Sequence, residues 1–366
     1  MDISVIIVNY RVPYFLELCL HSVRKALEGL DAEIIVVDNH SGDGGVDWLR
    51  PLFPEVNWIV NAENEGFSRA NNRALGAATG DHLLFLNPDT IVPENFARKC
   101  LGFMRPHVGG LGVRMVDGNG RFLRESRRGF PSPWVAFCKL SGLTSLFPRS
   151  RWFARYYLGH LPPDQTAPAP VLSGACFFVH RSALDRVGGF DETFFMYAED
   201  IDLSYRLEQA GYTNYYLADV TIVHFKGEST PKDFRYVRQF YKAMIQFRRK
   251  HFRMSGLSQA AVEAAIWLRG VMGAVAVRAP RSSRARRVWL TGDPEGIARL
   301  GPKMAVSDEQ HADEIIFCVG DEYSFQTAIE ALERKNAARS AAFFATGCHA
   351  VVGSSRRDGK GEIWIL

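Results

Sequence analysis

Residues 3–38 read ISVIIVNYRVPYFLELCLHSVRKALEGLDAEIIVVD. Two β-branched apolar runs, 3–9 and 33–38, flank a segment in which Phe15, Leu16, Cys19, Leu20, Val23 and Leu27 recur at helical spacing, closed by Gly29. Neither run alternates with polar residues. Each therefore predicts a strand buried on both faces, as parallel strands beneath crossover helices are. The stretch reads as a β-α-β unit. Working outward, Trp58–Val60 predicts a third strand, Glu65–Ala78 a helix closed near Gly80, and His82–Leu86 a fourth strand cut off by Asn87-Pro88-Asp89. Beyond a looser region, 105–170, rich in Pro, Arg and aromatic residues, come a strand at Val171–His180, a helix at Glu199–Ala210 and a strand ending at His224. Strands alternating with helices predict an α/β layer fold that binds ligands at the carboxyl ends of its strands.

The chain has 366 residues, enough for two or three domains, with 47% hydrophobic and 23% charged residues, an ordinary globular composition. Collagen-like, disordered and low-complexity classes are excluded. The six cysteines include no C-x-x-C pair, so neither a disulfide framework nor a zinc site is indicated. The first residues pass straight into a strand without the basic and small-residue features of a signal peptide, which leads us to expect a cytosolic protein.

A formal net charge of +4 conceals an uneven distribution. Lys232–Arg287 carries 14 Lys and Arg against two acids, Asp233 and Glu263, a local net of +12, while the remainder nets −8. Such a segment points to an anionic surface. No recognised nucleic-acid module accompanies it, so a membrane is expected and a nucleic acid is not. Residues 234–253 place aromatics on one helix face and Arg and Lys on the other. Residues 257–278 are apolar but interrupted by Arg269, short of the ~20 apolar residues of a bilayer span. After the linker APRSSRARR the strand–helix pattern restarts at Val288, with T-G-D-x-x-G as a loose match to a dinucleotide-binding loop. The expected organisation is a catalytic domain at 1–230, basic amphipathic helices and linker at 231–287, and a small Rossmann-like α/β domain at 288–366.

Four constellations carry chemistry. Asp38 ends a buried strand in VVDNHSGDG, where a carboxylate can accept from a nucleobase or ribose; an Asx turn is the commoner use of such a residue. Asn64, Arg69, Asn71 and Asn72 crowd a helix start, which suits an anion, and Asn87 and Asp89 follow as oxygen ligands two residues apart for a hard cation. Glu199, Asp200 and Asp202 open a helix, where the dipole stabilises carboxylates and where a general base for an alcohol can sit. For Asp202 the dipole reading is preferred. His224, at a strand end before Lys226 and Gly227, can complete a metal site or touch a diphosphate; an isolated His is more often structural.

Taken in order, strand-N-Y, V-V-D-N, N-x-G-F-x-x-A-N-N, L-F-L-N-P-D-T, G-G-F-D-E-x-F-F-M-Y-x-E-D-x-D-L-x-x-R and H-x-x-G-x-S resemble family 2 glycosyltransferases of the GT-A fold. The resemblance spans about residues 1–250 and is nearest to the bacterial rhamnosyltransferase-like group that builds surface polysaccharides. It implies a single in-line displacement with inversion, with Asp200 as the catalytic base and Glu199 as second choice. Asp38 would contact the base of a nucleoside-diphosphate sugar, and Asn9, Asn64, Gly66, Arg69, Asn71 and Asn87 would line the nucleotide and diphosphate. Asp89 stands at the metal position of the family's D-x-D motif. Asn87 replaces the first carboxylate, which makes His224 an additional ligand for Mg²⁺ or Mn²⁺. Gly188, Gly189, Phe190 and Asp191 would shape the loop between donor sugar and acceptor.

The implied donor is dTDP-rhamnose, with UDP-hexoses next. The implied acceptor is a glycan or a polyprenyl-diphosphate-linked acceptor, met peripherally at the inner face of the cell membrane through the basic segment. Two other readings remain. A nucleotidyltransferase would need a Gly-rich loop where this chain has Asn9-Tyr10-Arg11-Val12-Pro13. A sugar-nucleotide-binding or scaffold protein with impaired catalysis is kept open by Asn87.

Overall fold

The computed structural model describes residues 1–226, 234–252, 287–335, 339–353 and 361–366; the expected helix at 257–278, the linker after it, and Gly227 and Ser229 lie outside the described residues. Strands β1 (Ile3–Asn9), β2 (Ala32–Asp38) and β3 (Val56–Val60) alternate with helices α1 (Pro13–Ala26), α2 (Gly45–Leu49) and α3 (Gly66–Ala77). Next come β4 (His82–Leu86), β5 (Thr90–Ile91), α4 (Phe96–Phe103) and β6 (Val108–Val116). The looser region holds β7 (Arg127–Arg128), α5 (Pro133–Leu140), α6 (Leu143–Leu146) and β8 (Ala167–Pro168), and β9 (Val171–Leu172) comes directly after it. β10 (Cys176–His180), α7 (Arg181–Val187), α8 (Glu199–Gln209), β11 (Thr213–His224) and α9 (Phe234–His251) follow.

The main sheet has nine strands in the order β3-β2-β1-β4-β10-β6-β11-β5, with β8 pairing β11. β1 runs parallel to β2 and β4, whereas β10 is antiparallel to β4 and β6, so the sheet is mixed. Both faces are covered. Ile3, Val5 and Ile7 pack with α1 and α4 on one side, and Ile6 packs with Ala70, Ala74 and Leu203 on the other. That two-sided burial is why β1 and β2 are continuously apolar.

Two features depart from the sequence reading. β6 falls in the region taken as loose, because VGGLGVRMV reads as a turn-prone segment. Its glycines make room for neighbours instead: a Cβ at Gly110 would lie 2.8 Å from the Phe177 ring, and one at Gly109 would lie 2.8 Å from Cβ of Tyr212. The expected strand at 171–180 is two strands, β9 and β10, separated by Ser173-Gly174-Ala175.

A separate five-stranded sheet, in chain order, is formed by β12 (Val288–Gly292), β13 (Glu314–Val319), β14 (Ser340–Ala345), β15 (Ala350–Gly353) and β16 (Glu362–Ile365), with α10 (Pro294–Leu300) and α11 (Phe325–Arg334). It shares one apolar cluster with Val12, Phe15 and Leu18 of the first unit, Phe225 lying between Phe15 (5.1 Å) and Phe343 (6.0 Å). Two carboxylates staple the contact. Buried Glu17 accepts from the backbone N–H of His349 at 3.0 Å and pairs with its Nδ1 at 2.7 Å. Glu94 caps the start of α11 by accepting from the N–H groups of Phe325 (2.7 Å) and Gln326 (2.9 Å).

Within this sheet, Asp293 of the T-G-D loop turns inward. Its carboxylate accepts from Gly296 N (3.2 Å), Glu322 N (3.1 Å) and Thr346 Oγ1 (3.2 Å). Asp293 thereby caps the helix that follows the loop, using the N–H of Gly296 for its own carboxylate.

Candidate active site

The carboxyl ends of β1 and β2 bring Asn9 and Asp38 into register. Asn9 Nδ2 donates to Asp38 Oδ1 at 2.8 Å, and Ser41 binds both carboxylate oxygens, through Oγ to Oδ1 (2.5 Å) and through N–H to Oδ2 (3.0 Å). The Asx turn and a buried carboxylate at the strand end thus coexist. Asn39, the next residue, ties this corner to the following loop. Its Nδ2 donates to Asn64 Oδ1 (3.0 Å) and its Oδ1 accepts from Asn61 Nδ2 (3.0 Å) and Glu65 N (3.0 Å). Asn64 Oδ1 in turn accepts from Gly66 N at 3.0 Å.

Gly66 has φ +82°, and a Cβ there would meet the Phe195 carbonyl oxygen at 2.5 Å. Only glycine permits both the left-handed backbone and this approach. Asn71 is buried and bonds within its own helix, Nδ2 to Phe67 O at 2.9 Å, whereas Arg69 is exposed and pairs with Glu192 at 3.4 Å. The neighbouring Asn72 brackets the following loop. Its amide accepts from Phe190 N (2.9 Å) and donates to Phe190 O (2.8 Å), and it leaves no room for a side chain at Gly189. Phe190 is buried against Phe85 and Phe67, at 4.7 and 5.8 Å.

Asn87, Asp89 and His224 meet where β4 and β11 end. His224 Nε2 lies 3.4 Å from Asn87 Nδ2 and 3.4 Å from Asp89 Oδ1, and its buried Nδ1 has no hydrogen-bond partner among the described residues. The backbone of Asn87 reaches the β9–β10 break, its N–H donating to Ala175 O at 2.9 Å.

That break holds Asp200. Gly174 N–H donates to Asp200 Oδ2 at 3.0 Å, and Arg128 Nη2 donates to the same oxygen at 2.5 Å. Nothing in the sequence singles out Arg128; the pairing arises because β7 is antiparallel to β9 and lies across from the start of α8. Tyr197 and Ala198, both with left-handed φ (71° and 66°), turn the chain sharply into α8. Non-glycine residues take that conformation at a cost, which concentrates at functional sites. Glu199 is buried, and its Oε2 has no hydrogen-bond partner among the described residues. Desolvation, with the charge of Asp200 second, pushes its pKa up to about 8. A protonated Glu199 spares the pocket a second negative charge beside the Asp200–Arg128 pair.

Asp191 and Asp202 belong to a further network that sequence reading missed. The fully buried carboxylate of Asp202 binds Arg206 Nε (2.7 Å), Lys250 Nζ (2.7 Å) and His251 Nε2 (2.6 Å). Lys250 also reaches Asp191 Oδ2 at 2.6 Å. Although burial opposes it, the bonds from Lys250 and Thr193 lower the pKa of Asp191 to about 2. The aromatic face expected on α9 is used in the same contact, Phe247 being buried with Ile201 and Phe194.

Residues 4–188 match the family model described as Glycosyl transferase family 2. The chain belongs to that family. It is 32% identical over 244 residues to the N-acetylglucosaminyl-diphospho-decaprenol L-rhamnosyltransferase of Mycobacterium tuberculosis, covering 63% of this chain and 78% of the relative. It is 42% identical over 228 residues to the rhamnosyltransferase WbbL of Escherichia coli K12, covering 56% and 78%. In outline it also resembles the mannosyltransferase PcManGT of Pyrobaculum calidifontis, solved with GDP-Man and Mn²⁺ (TM-score 0.48, 19% identity, 76% of each chain). This family 2 member falls in the rhamnosyltransferase-like group, its mixed sheet is the expected GT-A fold, and it is a glycosyltransferase. Neither the nucleotidyltransferase nor the inactive-scaffold reading is favoured by these matches. Among the described residues, no helix is long and apolar enough to cross a membrane.

Proposed function

We propose that the chain transfers L-rhamnose, with inversion, from dTDP-rhamnose to a hydroxyl of a polyprenyl-diphosphate-linked glycan in cell-surface polysaccharide synthesis. The observation that carries the reading is Asp200, held at the start of α8 by Arg128 and Gly174 beside a buried Glu199. The two rhamnosyltransferase relatives support the sugar, and the first of them, named for a diphospho-decaprenol-linked substrate, supports the acceptor.

In this reading Asp38 and Asn9 receive the nucleobase side of the donor, with Asn64, Gly66 and Arg69 along the diphosphate. Gly189, Phe190 and Asp191 form the wall between donor sugar and acceptor, set in place by Asn72 and Lys250. Asp89 and His224 fit a divalent cation, Mg²⁺ or Mn²⁺: a carboxylate and an imidazole converge, and the imidazole is poorly satisfied by the protein alone. When bound, such an ion neutralises the leaving diphosphate. Asp200 accepts the proton of the acceptor hydroxyl as its oxygen bonds the anomeric carbon and the bond to the diphosphate breaks. The +12 segment supports peripheral contact with an anionic inner membrane surface.

A panel of nucleotide sugars with and without Mg²⁺ or Mn²⁺, read as thermal stabilisation and as product formation, tests this. A ligand bound by the folded state alone raises its melting temperature by mass action. dTDP-rhamnose should give the largest metal-dependent shift and the only transfer product. A product from UDP-hexoses but not dTDP-rhamnose would overturn the donor.

A further inference from the structure

The looser region carries the largest concentration of exposed apolar surface in the described chain. Trp134, Phe137, Leu146, Phe147 and Trp152 are all exposed, Leu146 at 72% and Trp152 at 73%, within nineteen residues spanning α5 and α6. They form one patch. Trp134 stacks on Phe137 (5.6 Å), Phe153 contacts both Trp134 (6.2 Å) and Phe147 (5.3 Å), and Trp134 Nε1 donates to Trp152 O at 3.1 Å. Contiguous exposed aromatics mark an interaction surface, whereas scattered ones do not.

The charge around the patch selects the partner. Residues 126–163 contain no Asp or Glu and six Lys or Arg, of which Arg149, Arg151 and Arg155 are exposed. Trp and Phe over short helices, rimmed by arginine, match the boundary of an anionic bilayer, where the rings enter the interface and the cations meet phosphate headgroups. The patch is also tied to the candidate site. Gly129 N–H donates to Tyr156 O at 2.8 Å, so the segment leaves and returns beside Arg128, which holds Asp200.

We propose that the α5–α6 segment docks on anionic membrane lipid and presents the Asp200 side of the site to an acceptor anchored in that membrane. The inference rests on the lipid-linked acceptor reading and names the surface that serves it. It lies outside the +12 segment, more than eighty residues before it in the chain's α5–α6 stretch.

The test is flotation of the full chain with phosphatidylglycerol-containing and pure phosphatidylcholine vesicles, beside transfer to a water-soluble acceptor analogue. Wild type should float with the anionic vesicles and lose flotation in high salt. Trp134→Ser/Trp152→Ser should reduce flotation at least tenfold while transfer to the soluble acceptor is retained. Arg149→Glu/Arg151→Glu, which leaves the aromatic cluster intact, should do the same and guards against a folding defect. Both variants floating like wild type would overturn the proposal, and loss of flotation on neutralising Arg281, Arg284, Arg286 and Arg287 instead would move the contact to the basic segment. Wild type that floats on neither vesicle also overturns it, as does a change of oligomeric state, in place of lipid binding, in the patch variants. Flotation without rhamnosyl transfer would sink the proposed activity and leave the surface standing.

Discussion

Arg128 donates to Oδ2 of Asp200 at 2.5 Å, and the same oxygen accepts the N–H of Gly174 at 3.0 Å. A carboxylate so tethered keeps a fixed direction, and among the described residues its other oxygen accepts from the adjacent N–H of Ile201 at 2.8 Å. Asp200→Asn should keep the shape and remove the base, lowering kcat by roughly 10²–10⁴-fold, the usual contribution of a general base. Nucleotide affinity, read by thermal shift, should be unchanged. Turnover near that of wild type would exclude Asp200 from proton abstraction.

Glu199 yields a stability prediction with a definite sign. Its pKa is pushed up to about 8, first by desolvation and then by the charge of Asp200, so the native state keeps a proton that the unfolded chain has released. The stabilisation is complete below the unfolded pKa near 4.5 and is lost as pH rises to about 8, at up to ~1.4 kcal/mol per pH unit. Glu199→Gln should remove this dependence. Its melting temperature should gain on wild type steadily between pH 5 and pH 8; parallel curves would show that Glu199 ionises normally.

Asp202 compensates Arg206, Lys250 and His251 from a fully buried position. Asp202→Ala should cost about 1–3 kcal/mol, because it leaves three partly buried donors without the acceptor they share. Adding Lys250→Met should recover part of the loss, with a coupling of ~0.5–3 kcal/mol in a double-mutant cycle. Additive losses would mean that the pair contributes nothing.

At Gly66, φ is +82° and a Cβ would lie 2.5 Å from Phe195 O. Gly66→Ala should cost at least the ~1–2 kcal/mol of a left-handed alanine and push the 191–197 loop away. The expected signature is a raised donor KM with a lowered melting temperature. An unchanged KM would detach that loop from donor binding.

Much of the catalytic unit was legible in the chain. β1, β2 and β4 and the helices near 13, 66 and 199 follow from hydrophobic period and glycine stops, since burial acts on each element locally. Legible too was the position of Asp38, Asp89 and Asp200 at or beside element ends, where an apolar pattern halts. β6 escaped because its glycines answer to Phe177 and Tyr212, residues more than sixty positions away. Arg128 and Lys250 escaped for the same kind of reason: a cation in a basic stretch carries no mark of the carboxylate it will meet.

Residue types and their order were enough for the family, the α/β class and the placing of acids at element ends, because motif spacing and strand pattern are properties of the chain read along its length. Their pairing belonged to the tertiary structure. Only packing α8 against β9, which pairs with β7, sets Arg128 on Asp200 and buries Glu199. Only docking of α9 turns Asp202 from a helix-start acid into the centre of a buried charge network. Burial and proximity across distant segments decide which carboxylate is charged, and neither is written in local sequence.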